Sequence, residues 1–303
     1  MNTLSPRAVG TLELIAAMVL SGTLGFFVFE SEQSAWNVVF FRCVFGAISL
    51  GLYCWARGMF RETHFSRRTF VLTLIGGAAL VSNWVLLFSS FEYASISIST
   101  AVYHTQPFFL LLFGALLLGD RPGPEKLVWF LVAFVGLLCV IEIDTTGASF
   151  SADYVFGLAL AIGAAVLYAV ATLVAKQLKG IPPHLLALTQ VTLGIFILFP
   201  FADFGAAPGW SSAWIYLVAL GVIHTCVMYI LMYSAFQKLP TPAIAVLGFV
   251  YPAVAIIVDY AFYDQSLHLV QFLGIALIML GSAGVNLGWR VLPNRAKPVA
   301  DAG

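Results

Sequence analysis

Ten apolar stretches, each about as long as a membrane-crossing helix, follow one another along the chain with short polar or Pro/Gly-containing breaks. A helix needs about 20 mostly apolar residues to cross the hydrocarbon core of a bilayer. A membrane-crossing strand is about 10 residues long and alternates polar with apolar residues, a pattern that is absent from runs such as residues 108–113. The predicted fold class is therefore an all-α membrane protein with ten transmembrane helices. The stretches cover residues 8–29, 34–56, 69–91, 94–118, 126–143, 154–178, 184–203, 212–236, 241–262 and 267–289.

The composition leaves little sequence for a soluble domain. Of the 303 residues, 61% are apolar and 9% are charged, and the mean hydropathy is +0.98. The first stretch is full-length and lacks a cleavage-like site, so we expect it to stay in the protein as a helix. The net charge of zero gives no indication of a nucleic-acid partner. The expected partners are the lipid bilayer and a small molecule, and the chain is expected to act as a monomer in a cell membrane.

The positions of the basic residues predict the orientation in the membrane, because Lys and Arg are held back from translocated loops. When the N-terminus is placed inside, all of the 14 Lys and Arg residues except Arg42 fall at the inner ends of the stretches. Acidic residues such as Glu92, Asp203 and Asp264 fall at the outer ends. This asymmetry favours an even number of crossings, with both termini in the cytoplasm.

The sequence contains no pattern that is typical of a metal site or of a catalytic centre. No two of the five histidines have a His-x-x-x-His spacing, and no phosphate-binding loop or nucleophile motif occurs. We therefore expect no metal, no cofactor and no enzymatic activity. The four cysteines are expected to be small buried apolar residues: Cys43, Cys54, Cys139 and Cys226.

An internal repeat becomes visible when the chain is shifted by 145 residues against itself, which aligns position 106 with position 251 without a gap. In this register Pro107 falls on Pro252, and Gly136 falls on Gly281. The breaks between the apolar stretches also fall at matching positions in this register. The predicted units are residues 1–145 and residues 146–292, followed by a polar tail at 293–303.

Each predicted unit contains five crossings, and this odd number inverts the second unit relative to the first. Inverted-topology repeats are typical of secondary transporters, in which one unit moves against the other around a central site. The repeat therefore predicts a transporter that works by alternating access.

The repeated pattern resembles the paired modules of the drug/metabolite transporter (DMT) superfamily, specifically its EamA branch. The resemblance covers nearly the whole chain and implies two inverted five-helix repeats. It is most similar to the YddG-type amino-acid exporters, which implies export of aromatic and other neutral amino acids across a bacterial inner membrane. The residues that carry it are Pro107, Gly119-Asp120 and Gly136 in the first copy, and Pro252, Asp264-Gln265 and Gly281 in the second.

Polar and aromatic side chains cluster near the middle of several stretches, where an uncompensated polar group is costly and so marks a candidate site. Any one of them can instead be a helix-helix hydrogen bond or a core aromatic. Their concentration in corresponding stretches of the two units favours a substrate cavity. The candidates are Asn83, Trp84, Tyr103, His104, Gln106, Tyr168, Gln190, His224, Tyr229 and Tyr251.

Two charged residues inside stretches are further candidates. Arg42 can anchor a substrate carboxylate, or it can reach the outer headgroups or a backbone carbonyl. Glu13 can be a proton-coupling site, or a carboxylate at the inner interface. Pro107 and Pro252 each remove a backbone hydrogen bond, so they are predicted kinks that either line a cavity or only shape packing.

The predicted function is export of small neutral metabolites, with amino acids as the expected substrates. A cavity of amides, hydroxyls, imidazoles and aromatic rings with one cation suits a neutral or zwitterionic solute, whereas a phosphorylated solute needs several Arg or Lys. The main alternative is an exporter of cationic drugs that uses Glu13. A membrane-embedded enzyme is the alternative from another class.

Overall fold

The computed structural model describes residues 5–60, 66–118, 123–141, 151–175, 177–178, 181–239, 243–244, 247–248, 250–265 and 267–291. All regular elements in these ranges are helices, and none of these residues forms a strand. Seven described helical stretches are long and apolar enough to cross a membrane, and two shorter apolar helices follow them. The prediction of an all-α, multi-pass membrane protein is therefore confirmed. The predicted tail at 293–303 and the Gly119-Asp120 turn lie outside the described residues.

Each of the ten predicted stretches overlaps at least one helix, and the number of membrane crossings stays a prediction. The helices are α1 (Pro6–Glu30), α2 (Ala35–Ala56), α3 (Arg67–Phe91), α4 (Ile96–Tyr103), α5 (Gln106–Leu118), α6 (Pro124–Ile141), α7 (Ala152–Ala175), α8 (Pro183–Leu198), α9 (Ala213–Gly221), α10 (Met228–Lys238), α11 (Val250–Tyr263) and α12 (Leu269–Leu287).

Serine residues define where the first four helices begin. Ser5, Ser34, Ser66 and Ser95 each accept a hydrogen bond from the backbone N–H three residues later. Such capping satisfies one of the N–H groups that have no partner inside a helix, and it contributes about 1 kcal/mol. The breaks between apolar stretches are thus encoded by side chains that end one helix and start the next.

The fourth predicted stretch is a broken helix. α4 ends at Tyr103, a turn occupies His104 and Thr105, and α5 begins one residue before Pro107. Proline has no N–H to donate to the preceding turn, and its ring disfavours a continuous helix. Within the turn, the hydroxyl and the backbone N–H of Thr105 both donate to the Val102 carbonyl, at 2.7 and 3.0 Å.

Pro252 has a different position from Pro107. It is the third residue of α11, in the first turn, where no backbone N–H is needed. Residues directly before α11 are only partly described, and Gly248 and Ile244 are hydrogen-bonded through their backbones (3.0 Å).

A π-helical segment, Val222–Val227, joins α9 to α10. A π turn adds one residue to the helical repeat and commonly marks a functional site. Here the hydroxyl of Thr225 donates to the carbonyl of Leu220, five residues earlier (2.9 Å). The segment presents the Thr225 hydroxyl and the His224 backbone carbonyl to Arg42 of α2, while the His224 ring faces α1.

The helices pack around a shared core that includes residues of α1, α2, α3, α7, α8 and α10. α6 pairs with α12, α3 with α7, and α1 with both α10 and α11. Asp259 of α11 is buried and accepts hydrogen bonds from the backbone N–H and the hydroxyl of Ser97. This bond caps α4 and fixes its first turn against α11.

Candidate functional site

A cavity of about 330 Å³ lies among α1, α2, α3, α7, α8 and α10, next to the α4–α5 break and the start of α11. Its volume is at the lower end of the range of small-molecule sites, roughly 300–1,000 Å³. Eight of the ten residues predicted to line a substrate cavity do line this one: Trp84, Tyr103, His104, Gln106, Tyr168, Gln190, Tyr229 and Tyr251. Side chains that are far apart in sequence are thus brought together at one place.

The wall of the cavity combines ring faces with a few polar groups. Tyr103 contacts Tyr168 at 5.7 Å between ring centroids, and His104 contacts Tyr251 at 5.4 Å. The lining contains no Asp or Glu in the part of the chain that the structure describes. Among the described lining residues, Arg42 is the one formal cation. Such a site offers apolar surface, hydrogen bonds and a single positive charge.

Arg42 is the most completely buried charged side chain of the described core, with 1% of its surface exposed. Its Nε donates to the Thr225 hydroxyl (2.9 Å), and its Nη2 donates to the His224 carbonyl (3.2 Å). The guanidinium carbon lies 4.0 Å from the centre of the Trp84 ring, a cation–π contact. The π-helical segment and α3 therefore hold Arg42 inside the bundle, away from the outer headgroups that the sequence left as an alternative.

Asn83 and His224 lie behind the cavity wall and do not line it. Asn83 donates from Nδ2 to the Ala164 carbonyl (2.6 Å) and accepts from the Tyr103 hydroxyl (3.4 Å), so it ties α3 to α7 and orients a lining ring. His224 shares a hydrogen bond between Nε2 and the Thr23 hydroxyl (3.1 Å). Asn83 therefore supports Tyr103 of the cavity wall, whereas the His224 ring contacts Thr23 and Phe27 of α1.

Glu13 lies outside the cavity, between α1 and α10. Lys238 donates from Nζ to both carboxylate oxygens of Glu13, at 2.6 and 2.7 Å, and Ser234 donates to one of them (3.1 Å). Both charged side chains are partly exposed. The contact joins the cytoplasm-facing ends predicted for the two helices.

Aromatic side chains lie between this cavity, which Phe88 lines, and a second cavity of about 590 Å³, which Phe29, Phe91 and Tyr263 line. Phe29 lies 6.4 Å from Phe91 and 5.1 Å from Tyr263 between ring centroids, and Phe88 lies 5.8 Å from Phe91. Tyr263 also donates to Glu30 (3.3 Å). We call Phe29, Phe88, Phe91 and Tyr263 the aromatic layer. At the opposite end the lining extends to the last residue of α7 and the first turn of α8.

Several lining residues were not among the sequence candidates. Met228 and Met232 lie four residues apart on α10 and so share a face. Helical spacing relates Met232 to the predicted Tyr229, three residues earlier, but not Met228, which directly precedes Tyr229. Ser21 and Thr172 are small hydroxyl residues of a kind that also bonds to the helix backbone, as Ser21 does with Ala17 (2.9 Å). No feature of the sequence indicates that these two side chains face the cavity.

The described residues contain no group of three or more His, Cys, Asp or Glu side chains that could hold a metal ion. The four cysteines are free thiols: Cys43, Cys54 and Cys226 are buried, and Cys139 is half-buried.

Comparison with known proteins gives one family over most of the chain. Residues 8–142 and residues 155–287 both match the EamA-like transporter family. A crystal structure with 20% sequence identity has a TM-score of 0.61 and covers 92% of this chain and 96% of its own. At that identity the likeness shows the fold alone.

Curated relatives are transporters and exporters. The uncharacterized transporter YxxF of Bacillus subtilis (strain 168) is 33% identical over 279 residues, 91% of this chain and 89% of that protein. The pseudopaline exporter CntI of Pseudomonas aeruginosa (strain UCBPP-PA14) is 28% identical over 70% of this chain and 76% of its own. The threonine/homoserine exporter RhtA of Salmonella typhimurium (strain LT2) is 25% identical over 76% of this chain and 75% of its own.

Proposed function

The chain belongs to the EamA-like transporter family, and from that premise we propose that it exports small neutral metabolites, with amino acids as the substrate class. We further propose that the cavity is the substrate site, that the protein works by alternating access, and that it lies in a bacterial inner membrane. The predicted membrane crossings, orientation and two repeat units are part of this proposal.

The chemistry of the cavity wall is the observation that supports amino acids as the substrate class. Aromatic rings and thioethers surround the space, and hydroxyl and amide groups supply hydrogen bonds. Within the described part of the wall, a single buried guanidinium accompanies them and no carboxylate is present. This combination suits a solute with an apolar body and a small polar end, because buried polar groups fix orientation while apolar surface supplies most of the contact.

The relatives support an exporter of this kind. RhtA is named for threonine and homoserine, and CntI for pseudopaline. These names apply to those proteins. Threonine and homoserine are neutral, zwitterionic amino acids, which is the kind of solute that the cavity suits.

An exporter of cationic drugs is supported less well. Such a transporter needs a carboxylate at its site, and Glu13 is paired with Lys238 outside the cavity. A phosphorylated solute is disfavoured as well, because the described residues of the wall include one formal cation, Arg42.

Contacts between α6 and α12 support two structurally related units. A Cβ atom at Gly136 would lie 2.6 Å from the Gly274 carbonyl and 2.8 Å from the backbone N of Ile278. One at Gly281 would lie 2.6 Å from the Trp129 carbonyl and 2.9 Å from the backbone N of Ala133. The two sets of contacts are equivalent in the two halves of the chain. Adding 145 to positions 129, 133 and 136 gives positions 274, 278 and 281. Reciprocal contacts of this kind are the mark of a two-fold relation.

Contacts of the first helix of each unit repeat in the same way. Gly10 of α1 faces Lys238 and Leu239, and Gly157 of α7 faces Tyr93 and Ala94. The two pairs of contacted residues are again 145 positions apart. The two glycines are 147 positions apart, and the two family matches, which start at residues 8 and 155, are offset by the same number. An inverted repeat explains these reciprocal contacts, because a two-fold axis in the membrane plane exchanges the units.

The aromatic layer and the Glu13–Lys238 pair lie toward opposite ends of α1. With the N-terminus in the cytoplasm, the aromatic layer is on the outer side and the cavity extends toward the cytoplasm. We therefore assign the structure to an inward-facing state that is closed on the outside. Export requires a second state in which the aromatic rings separate and the inner end closes.

The proposal predicts uptake or counterflow of neutral amino acids by the purified protein in proteoliposomes. Vesicles loaded with unlabelled phenylalanine, methionine, threonine or alanine should accumulate the labelled form of at least one of them, in a saturable manner and above empty vesicles. Flux measured with and without ion gradients will show the coupling. Equal accumulation in protein-containing and empty vesicles for all four amino acids would overturn the proposed function.

A further inference from the structure

Arg42 carries donor groups that the surrounding protein does not use. Its Nη1 is buried and has no hydrogen-bond partner among the described residues, while Nε and Nη2 are bonded to Thr225 and His224. Leaving a buried charged donor without an acceptor is costly, because the desolvation of that group is not compensated. The Arg42 side chain lines the cavity, so an acceptor that reaches Nη1 from the cavity would remove this cost.

The positive charge of Arg42 is also not neutralised within the described part of the protein. The ion pair found there joins Lys238 to Glu13, and no carboxylate lies within ion-pair distance of Arg42. The Trp84 ring and the two oxygen acceptors stabilise the guanidinium without cancelling its charge. A cation at membrane depth is costly, so its retention favours a functional partner of negative charge.

The same cavity contains a buried acceptor without a partner. The side-chain Oε1 of Gln106 has no hydrogen-bond donor among the described residues. Gln106 is the first residue of α5, directly after the break at His104 and Thr105, and it also lines the cavity. An unused donor on a cation and an unused acceptor on an amide are complementary to the two ends of a zwitterion.

We propose that Arg42 binds the carboxylate and Gln106 the ammonium group of an α-amino acid with a neutral side chain. This inference rests on the proposed transport function and names the groups that select the substrate. Arg42 is suited to the role because Thr225, His224 and Trp84 fix its guanidinium before the ligand arrives, and a preorganised group loses less entropy on binding. The substrate side chain then faces the rings and methionines of the wall.

The test compares three ligands that differ only at the two recognised groups. Each of phenylalanine, methionine, threonine and alanine is paired with its alcohol, which lacks the carboxylate, and with its deaminated acid, which lacks the ammonium group. Binding is read as ligand-induced thermal stabilisation of the purified protein in detergent, since a ligand that binds only the folded state raises the unfolding midpoint. This readout does not depend on transport.

We expect the wild-type protein to bind at least one amino acid about tenfold to a hundredfold more tightly than its alcohol or its deaminated acid. Arg42→Gln should weaken binding of the amino acid and the deaminated acid by a similar factor and leave the alcohol unchanged. Gln106→Leu should weaken the amino acid and the alcohol and leave the deaminated acid unchanged. Arg57→Gln, at the exposed end of the same helix as Arg42, should change none of the three.

Equal weakening of all three ligands in Arg42→Gln would assign a structural role to Arg42 and overturn the inference. Absence of stabilisation of the wild-type protein by all four amino acids would overturn it as well. The expected ligand pattern without flux in proteoliposomes would support the recognition site and contradict the proposed transport. The reverse result, transport with no loss of discrimination in Arg42→Gln, would contradict the recognition site alone.

Discussion

Ala175→Trp is expected to reduce amino-acid flux in proteoliposomes to the level of empty vesicles while the protein stays folded. Ala175 is the last residue of α7, lines the cavity at its proposed cytoplasmic end and is half-buried. An indole at this position occupies space that a substrate needs. It should also hinder the closing movement of the inner end. Because the position borders open space, the added volume should not overpack the core, where it would cost about 1–3 kcal/mol.

The matched control is Ala159→Trp on the same helix. Ala159 is exposed on the outer surface of the bundle, so the same indole there faces lipid and should leave flux near the wild-type value. Gel filtration and the thermal unfolding midpoint show whether both variants are folded. Wild-type flux in folded Ala175→Trp would mean that substrate does not pass through this cavity.

Gly22→Ala is expected to lower the thermal unfolding midpoint and the amino-acid flux together. A Cβ atom at Gly22 would lie 2.5 Å from Cβ of Val254 and 2.7 Å from the carbonyl oxygen of Tyr251. Backbone atoms cannot rotate away, so α1 and α11 must separate. Overpacking of this kind typically costs about 1–3 kcal/mol. The movement also displaces Tyr251, a residue of the cavity wall.

Gly51→Ala is the control for that experiment, because it makes the same change in the middle of α2. A Cβ atom at Gly51 meets only Leu188 Cδ1, at 3.9 Å, which is an ordinary contact. Alanine is favoured over glycine inside a helix by about 0.5–1 kcal/mol, so stability should be unchanged or slightly higher. A midpoint for Gly22→Ala equal to that of Gly51→Ala would contradict the close packing of α1 on α11.

The helical architecture was predictable because the hydropathy pattern and the capping residues both act locally. A run of about 20 apolar residues specifies a helix whatever its neighbours are, and serines such as Ser34 and Ser66 specify where it starts. The break near Pro107 was predictable for the same reason, since the missing N–H belongs to the residue itself. Pro252 was less informative, because a first-turn proline and an interior proline look the same in sequence.

The cavity was predictable from residue depth, but the direction of each side chain was not. Asn83 and Trp84 are neighbours at the same depth, yet Trp84 lines the cavity and Asn83 bonds to α7. In a soluble helix the polar face identifies the direction, whereas a membrane helix is apolar toward both lipid and core. The depth of a residue in the membrane therefore predicts how far along each helix the site lies. The packing of the helices decides which side chains reach the cavity.

Partners of the charged residues could not be derived from the sequence. Glu13 and Lys238 are 225 positions apart, and their pairing depends on the contact between α1 and α10. The acceptors of Arg42 depend on the π-helical segment, because only the extra residue in that turn presents Thr225 and the His224 carbonyl to α2. The residues of this segment do not distinguish a π turn from an ordinary helix.

The most direct test of alternating access through the cavity is a cysteine at Ser21, which lines the cavity and differs from cysteine by one atom. The four native cysteines are replaced by alanine, and membrane-impermeant thiol reagents are applied from one side of the proteoliposome at a time. We expect labelling from the inner side to predominate without substrate. A saturating transported amino acid should slow that labelling, and outward-directed exchange should open the position to the outer side. Labelling that is unchanged by an amino acid that the same vesicles transport would contradict the assignment of this cavity as the transport site.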